Sequence, residues 1–198
     1  MFRGSALSDL RAFPQAARRE AGYKLDRLQA GEAPTDWKPM PTIGPGVQEI
    51  RIRDAVGAFR VIYIAKFAEA VFVLHCFQKK TQKTSKADLS LAAKRYGDLL
   101  KRPRPMSDQT FSSVWDAIEA TPAEAENMRL RSTLMMALER HIRAREWTQA
   151  EAARQLGVTQ PRISDLLRGK IELFSLDMLV SLIGAAGLHV ELRVLDAA

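Results

Sequence analysis

A single cysteine, Cys76, stands among 198 residues. That excludes a disulfide framework within the chain and any cysteine-rich zinc site. It fits a reducing, cytoplasmic setting. His75 is the only histidine of the first half, and no metal-ligating constellation surrounds it in the sequence. No apolar run approaches the roughly 20 residues that a membrane span needs. The opening stretch, MFRGSALSDLRAF, lacks the long apolar core of a signal peptide. What the chain does have is a 46% hydrophobic share, enough for packed cores, in a length that suits one large or two small domains.

Charge divides the chain. Residues 1–105 carry 20 Lys/Arg against 10 Asp/Glu, a balance of +10, and residues 106–198 carry 10 against 13, a balance of −3. The sign changes at LLKRPRPMSDQTF (99–111), which also holds two prolines. A strongly basic half calls for an anionic partner, nucleic acid or acidic protein. The acidic half joined to it is a candidate for that partner.

In the first half, LSDLRAF forms a short helical turn and Pro14 restarts the chain. Ala17, Ala21, Leu25 and Leu28 then recur at helical spacing, with Gly22 as a weak point and Gly31 at the end. EAPTDWKPMPTIGPG (32–46), with four prolines, reads as loop. VQEIRIR (47–53) alternates as a half-buried strand, and DAVGA (54–58) is a hairpin turn. FRVIYIAKF (59–67) and AVFVLHCF (70–77) read as central strands. After a basic exit loop, KADLSLAAKRYGDLL (86–100) closes the domain as a helix. The expected order is two helices, three antiparallel strands and a helix, an α+β domain over residues 1–103.

The polar sheet face and strand exits gather Arg51, Arg53, Arg60, Lys79 and Lys80. Cations on a rigid sheet are suited to holding a phosphodiester and neutralising the charge that develops when it is attacked. RNA supplies its own nucleophile, the 2′-hydroxyl, so such a site needs positioning, charge stabilisation and a proton acceptor, without a metal or cofactor. The plainer reading is a basic face that binds nucleic acid or an acidic protein, and spacing alone leaves both open.

The stretch EIRIRDAVGAFRVIYIAKFAEAVFVLHCFQKKTQKT resembles the sheet of RelE/ParE-type toxins of the phage-derived HigB-like subgroup. The resemblance extends over nearly all of residues 2–100. It implies a bacterial toxin that cleaves mRNA on the ribosome. It places Arg51 and Arg53 on the strand that carries basic catalytic side chains. Arg60 falls at a substrate-binding arginine, and Lys79, with Lys80 beside it, near a transition-state arginine. The family's tyrosine on the last segment is replaced here by Ser85. The proton acceptor has no clear owner, and His75 or a lysine of lowered pKa are the candidates. ParE relatives share the fold and act on DNA gyrase instead.

In the second half, FSSVWDAIEA (111–120) reads as a short helix. Thr121, Pro122 and Glu124 open a longer one, with Leu130, Leu134, Leu138 and Ile142 as its apolar stripe. WTQAEAARQLGVTQPRISDLLRGK then shows two short helices about a glycine turn. Thr148 and Glu151 form a capping box, Gly157 the turn, Thr159 the next cap, and Gly169 the end. Ile163, Leu166 and Leu167 point inward, and Ser175 caps a further helix. This is a helix-turn-helix pattern. Its candidate DNA-contacting residues are Gln149, Thr159, Gln160, Arg162, Ser164, Arg168 and Lys170. LHVELRVL (188–195) alternates as a strand that needs a partner, in a second subunit or on an exposed sheet edge.

Residues 108–195 resemble XRE-type antitoxins of the HigA-like class, carried by WTQAEAARQLG, GVTQPRISDLLRGK and the SLDMLVSL helix. Together the two resemblances imply a toxin domain (1–103), a fusion joint (104–110) and an antitoxin domain (111–198). The antitoxin half would neutralise the toxin, within or between chains, bind operator DNA and form a homodimer. The expected RNA partner is mRNA on the ribosome. The alternatives are a gyrase inhibitor fused to its antitoxin and a DNA-binding repressor with an inactive toxin-like domain.

Overall fold

The computed structural model describes residues 1–67, 70–101 and 111–194. The chain divides into two compact units, Met1–Met128 and Arg129–Ala198. The expected joint at 104–110 lies outside the described residues.

The first unit runs α1 (Ala6–Arg11), α2 (Gln15–Gln29), β1 (Trp37–Pro39), β2 (Val47–Arg53), β3 (Ala58–Phe67), β4 (Ala70–Lys79), α3 (Lys86–Lys101) and α4 (Val114–Ile118). The strands form one antiparallel sheet in the order β1-β2-β3-β4. Three strands are expected from the sequence, and four are present among the described residues. β1 lies in the proline-rich stretch read as loop. All three of its residues are exposed, so it carries no alternating apolar signal, and it exists because β2 offers an edge to pair with. Its Pro39 is tolerated there, since an edge strand leaves one side without ladder partners.

Alternation gives the sheet two different faces. On one, Ile50, Ile52, Phe59, Val61 and Tyr63 are all buried. Phe13, between α1 and α2, packs at a tilt on Phe59 with ring centroids 4.8 Å apart. The Lys24 ammonium of α2 donates to the Arg51 carbonyl at 2.9 Å, so both helices lie on this face. On the other face, Val47, Ile62, Ile64, Phe72 and Leu74 pack with Ala92, Tyr96 and Leu99 of α3 and with Met40 and Ile43. The residues at the chain start bridge to β4, with the Arg3 amide donating to the Val73 carbonyl at 3.0 Å.

Helix α2 has no solvent side of the usual kind. Ala17, Ala21 and Leu25 are buried as the apolar stripe predicts, and so are Glu20, Gly22, Lys24 and Arg27. Part of the reason is α4. Its Trp115, fully buried, and Ile118 lie over Gly22. A Cβ added at Gly22 would stand 2.5 Å from Ile118 Cδ1 and 2.8 Å from the Trp115 ring. The glycine that weakens the helix by propensity is the one position whose lack of a side chain lets an indole approach the backbone.

α5 (Pro122–Ala144) begins in the first unit and ends in the second. The second unit continues with α6 (Gln149–Leu156), α7 (Gln160–Arg168), a 3-10 turn at Ile171–Leu173, and α8 (Leu176–Ala185). Its core draws on Met135, Leu138, Ile142, Ala152, Leu156, Ile163, Leu166, Phe174, Leu179 and Leu182. The four-residue stripe expected on α5 holds only at Leu138 and Ile142, while Leu130 and Leu134 are half-buried. Steps of four drift by about 40° each on a helix of 3.6 residues per turn. The buried line instead follows Met128, Ser132, Met135, Glu139 and Ile142, mixing threes and fours. Residues 188–194 form no strand. The alternation is there, but a lone segment has no ladder to join within one chain.

Helix ends in this unit obey local rules. Thr148 and Glu151 exchange the bonds of a capping box, and Gly157 and Gly169 end their helices in the left-handed conformation. The Ser175 hydroxyl accepts from the Met178 amide. Thr159 occupies the cap position of α7 but its side chain makes no capping bond.

Two outcomes are expected. Gly22→Ala, which in an exposed helix would gain about 1 kcal/mol, should instead lower the urea midpoint, with an overpacking cost of roughly 1–3 kcal/mol. Thr148→Ala should cost the helical unit about 1 kcal/mol of unfolding free energy, measured by far-UV dichroism in urea.

Candidate nucleic-acid interfaces

Strand register decides which charged residues meet. Arg51 pairs with Arg60 and Arg60 with Phe77; Arg53 pairs with Ala58 and Ala58 with Lys79. Residues directly opposite across an antiparallel ladder point to the same face, roughly 5 Å apart. Two neighbouring rungs therefore carry Arg51, Arg53, Arg60 and Lys79 on one face, the α3 face, at the end where the strands leave the α3-covered core. The next rung, Lys38–Glu49–Ile62–His75, lies on the same face. Lys80 follows the end of β4 and is exposed.

These cations are not equivalent. Arg53 is exposed and Lys79 half-buried, and neither makes an ion pair with a described residue. Arg51 pairs with Asp36 at 2.7 Å, but both side chains are well exposed, so the pair is weak and exchangeable. Arg60 is only 3% exposed. Its Nε stands 3.3 Å from Glu49 Oε1, and its Nη1 donates to the Phe59 carbonyl at 2.7 Å. Burial pulls the Arg60 guanidinium below its ordinary pKa, against the attraction of Glu49 and with the repulsion of Arg53 and Arg51. Glu49 is 1% exposed, its Oε2 has no hydrogen-bond partner, and Lys38 Nζ lies 3.7 Å from Oε1.

His75 is buried and serves as a pin. Its Nε2 is 2.9 Å from Asp88 Oδ1 at the start of α3, its Nδ1 is 3.7 Å from Asp9 Oδ2 on α1, and its ring stacks on Phe77. Asp88 in turn accepts from the Ser85 hydroxyl at 2.6 Å. Ser85, which stands where the resemblance expects a tyrosine, is thus tied to the beginning of α3.

Of the cations expected together, the structure brings Arg51, Arg53, Arg60 and Lys79 to one face and leaves Lys80 beyond the strand; it adds His75 on the next rung, which the sequence did not place there. Sequence reasoning missed Glu49, the buried anion inside the basic set, along with Lys38 and Asp36. Glu49 was within reach of the same period-two argument, since it alternates with Arg51 and Arg53 on one side of β2. Asp36 and Lys38 were not, because nothing in the loop-like stretch predicts β1. Among the described residues, no group of three or more His, Cys, Asp or Glu stands placed to share a metal ion.

In the second unit, α6 and α7 meet through the Gly157–Thr159 turn. Ile163 and Leu166 are buried, while Gln160, Ser164 and Arg168 recur at steps of four along the outer side of α7. Gln149 at the start of α6 and Thr159 before α7 are exposed. Two other predicted contacts are engaged internally. The Arg162 guanidinium lies 5.0 Å over the ring of buried Phe174, and Lys170 pairs with Asp165 at 2.9 Å. The pattern of a second helix with polar side chains outward and an apolar underside is that of a helix laid against the edges of DNA bases.

Two known families match the chain, one in each half of the sequence. Residues 8–97 match the model of the Gp49-like phage-derived protein family. Residues 119–195 match a helix-turn-helix domain family. No curated protein matches the chain. No helix among the described residues is long and apolar enough to cross a membrane. The chain joins a Gp49-like, phage-derived toxin domain at its beginning to a helix-turn-helix domain at its end, and is a toxin–antitoxin-like DNA-binding protein.

Proposed function

We propose that the first domain is a metal-independent endoribonuclease acting on ribosome-bound mRNA. The second neutralises it and binds operator DNA as an autorepressor, two copies pairing through the helix-turn-helix half. The observation that carries this reading is the register Arg51–Arg60 beside Arg53–Ala58–Lys79, which collects four cations on one rigid face. A phosphodiester attacked by its own 2′-hydroxyl gains negative charge, and preorganised cations stabilise it without rearrangement. Arg53 and Lys79, which make no ion pair with a described residue, meet the phosphate first. Arg51 leaves its exposed pair with Asp36 to join them. Arg60 stands behind, held by Glu49.

A second reading has one observation in its favour. His75, one of the candidates for the proton acceptor, is buried, and its Nε2 is held by Asp88. That favours a repressor whose basic domain binds anions without cleaving them. Residues 1–103, produced in bacteria with their fold checked by dichroism, separate the readings. Growth arrest with new mRNA 5′ ends supports the nuclease. Arrest with DNA damage and intact mRNA points to gyrase, and no arrest favours the repressor.

Lys79→Ala and Arg53→Ala should each lower cleavage by roughly 10²–10³-fold with little change in stability. Unchanged rates would remove them from the site. Arg60→Ala should act differently. It leaves Glu49 as an uncompensated buried charge and should cost roughly 3–5 kcal/mol of stability, so lost activity there would report folding. Gln160→Ala should weaken operator binding by about 1–3 kcal/mol and relax selectivity at one base pair, read by a gel-shift series over operator variants. Affinity should fall steeply with salt.

A further inference from the structure

Most of the segment 111–120 lies between the two matched families: the first match ends at residue 97 and the second begins at 119. It nonetheless packs on the toxin-like domain. α4 has five residues, too few for a helix that stands alone. Two things hold it. Locally, Ser113 and Asp116 form a capping box. Across the interface, each neighbour on α1 and α2 supplies a specific partner. Trp115 and Ile118 seat on Gly22. Arg19 grips Glu119 with both ends of its guanidinium, Nε to Oε1 at 2.9 Å and Nη2 to Oε2 at 3.1 Å. Arg11 Nε donates to the Ala117 carbonyl at 2.8 Å, and Gln29 Oε1 accepts from the Val114 amide at 2.9 Å.

The chemistry is that of a recognition surface. A buried aromatic anchor in a fitted hollow, flanked by a two-pronged arginine–carboxylate pair, is how tight interfaces concentrate their energy. The face it covers is basic, and it covers that face with an acidic helix. It lies on the α1–α2 side of the sheet, opposite the rungs of Arg51, Arg53, Arg60 and Lys79. α4 therefore leaves the candidate catalytic face uncovered.

We infer that α4 is the neutralising clamp of this chain. It closes the α1–α2 face, where Arg11 and Arg19 would otherwise meet an anionic macromolecule, and it does so without touching the cleavage face. The inference rests on the toxin reading above. The clamp places neutralisation in residues 111–120, ahead of the helix-turn-helix, and makes Arg19–Glu119 its polar lock and Trp115 its apolar one.

The test uses the full chain in bacteria. Glu119→Arg sets like charges together and should free the toxin, seen as loss of colony formation. Trp115→Ala should do the same. The double exchange Arg19→Glu/Glu119→Arg restores opposite charges and should restore growth, which an unfolded variant would not do. Arrest by Glu119→Arg that the exchange reverses supports the clamp. Arrest that the exchange leaves in place overturns it. Full-length, soluble Glu119→Arg and Trp115→Ala proteins that both permit normal growth also overturn it, even if residues 1–103 alone cut mRNA. Reversible arrest without new mRNA ends, and unrelieved by adding Lys79→Ala, keeps the clamp and rejects the nuclease.

Discussion

Opposite sides of one sheet have opposite duties, and that separation depends on the period of two along β2, β3 and β4. Ile50 and Ile52 point to the α1–α2 layer while Arg51 and Arg53 point away from it. Phe59 and Arg60 divide in the same way on the next strand. Slipping the β2–β3 register by one residue would bury two arginines and expose two isoleucines. The apolar face therefore locks the register, and the locked register aligns the cations. Core packing and the geometry of the basic face are one constraint seen from two sides.

Within that face, burial sorts the charges by role. Arg60 and Glu49 are removed from water together, and such a pair persists only while both partners are present. It acts as a fixed electrostatic background for the rungs beside it. The more exposed side chains, Arg53, Lys79 and Arg51, lose less on meeting a phosphate because they give up solvent or a weak surface pair. His75, bridging the neighbourhood of α1 and the start of α3, belongs to the fixed part.

The hollow at Gly22 shows a different kind of economy. A glycine inside a helix is ordinarily a loss of stability, and here it is what admits Trp115 to the helix backbone. The segment that delivers the indole lies beyond the change of charge sign in the sequence, yet it belongs to the first compact unit. The structure thus joins the two halves of the sequence at α4 as well as through the covalent chain, with a basic helix face meeting an acidic turn.

Much of this was written locally. Caps and glycines at Thr121, Thr148, Gly157, Gly169 and Ser175, and the alternation of VQEIRIR, are encoded by neighbours a few residues apart, so the sequence alone determined the helix-turn-helix, three of the four strands and the shared face of Arg51 and Arg53. Four things needed the tertiary structure. β1 has no pattern of its own and exists through pairing. Residues 188–194 have the pattern and pair with no strand among the described residues. Arg60 looks like its neighbours in sequence, and only the packing around it buries it beside Glu49. Gly22 and Trp115 are 93 positions apart, and no periodicity links them. Short-range steric and hydrogen-bond rules can be read along a chain, whereas burial and complementarity belong to surfaces that exist only once the chain has folded.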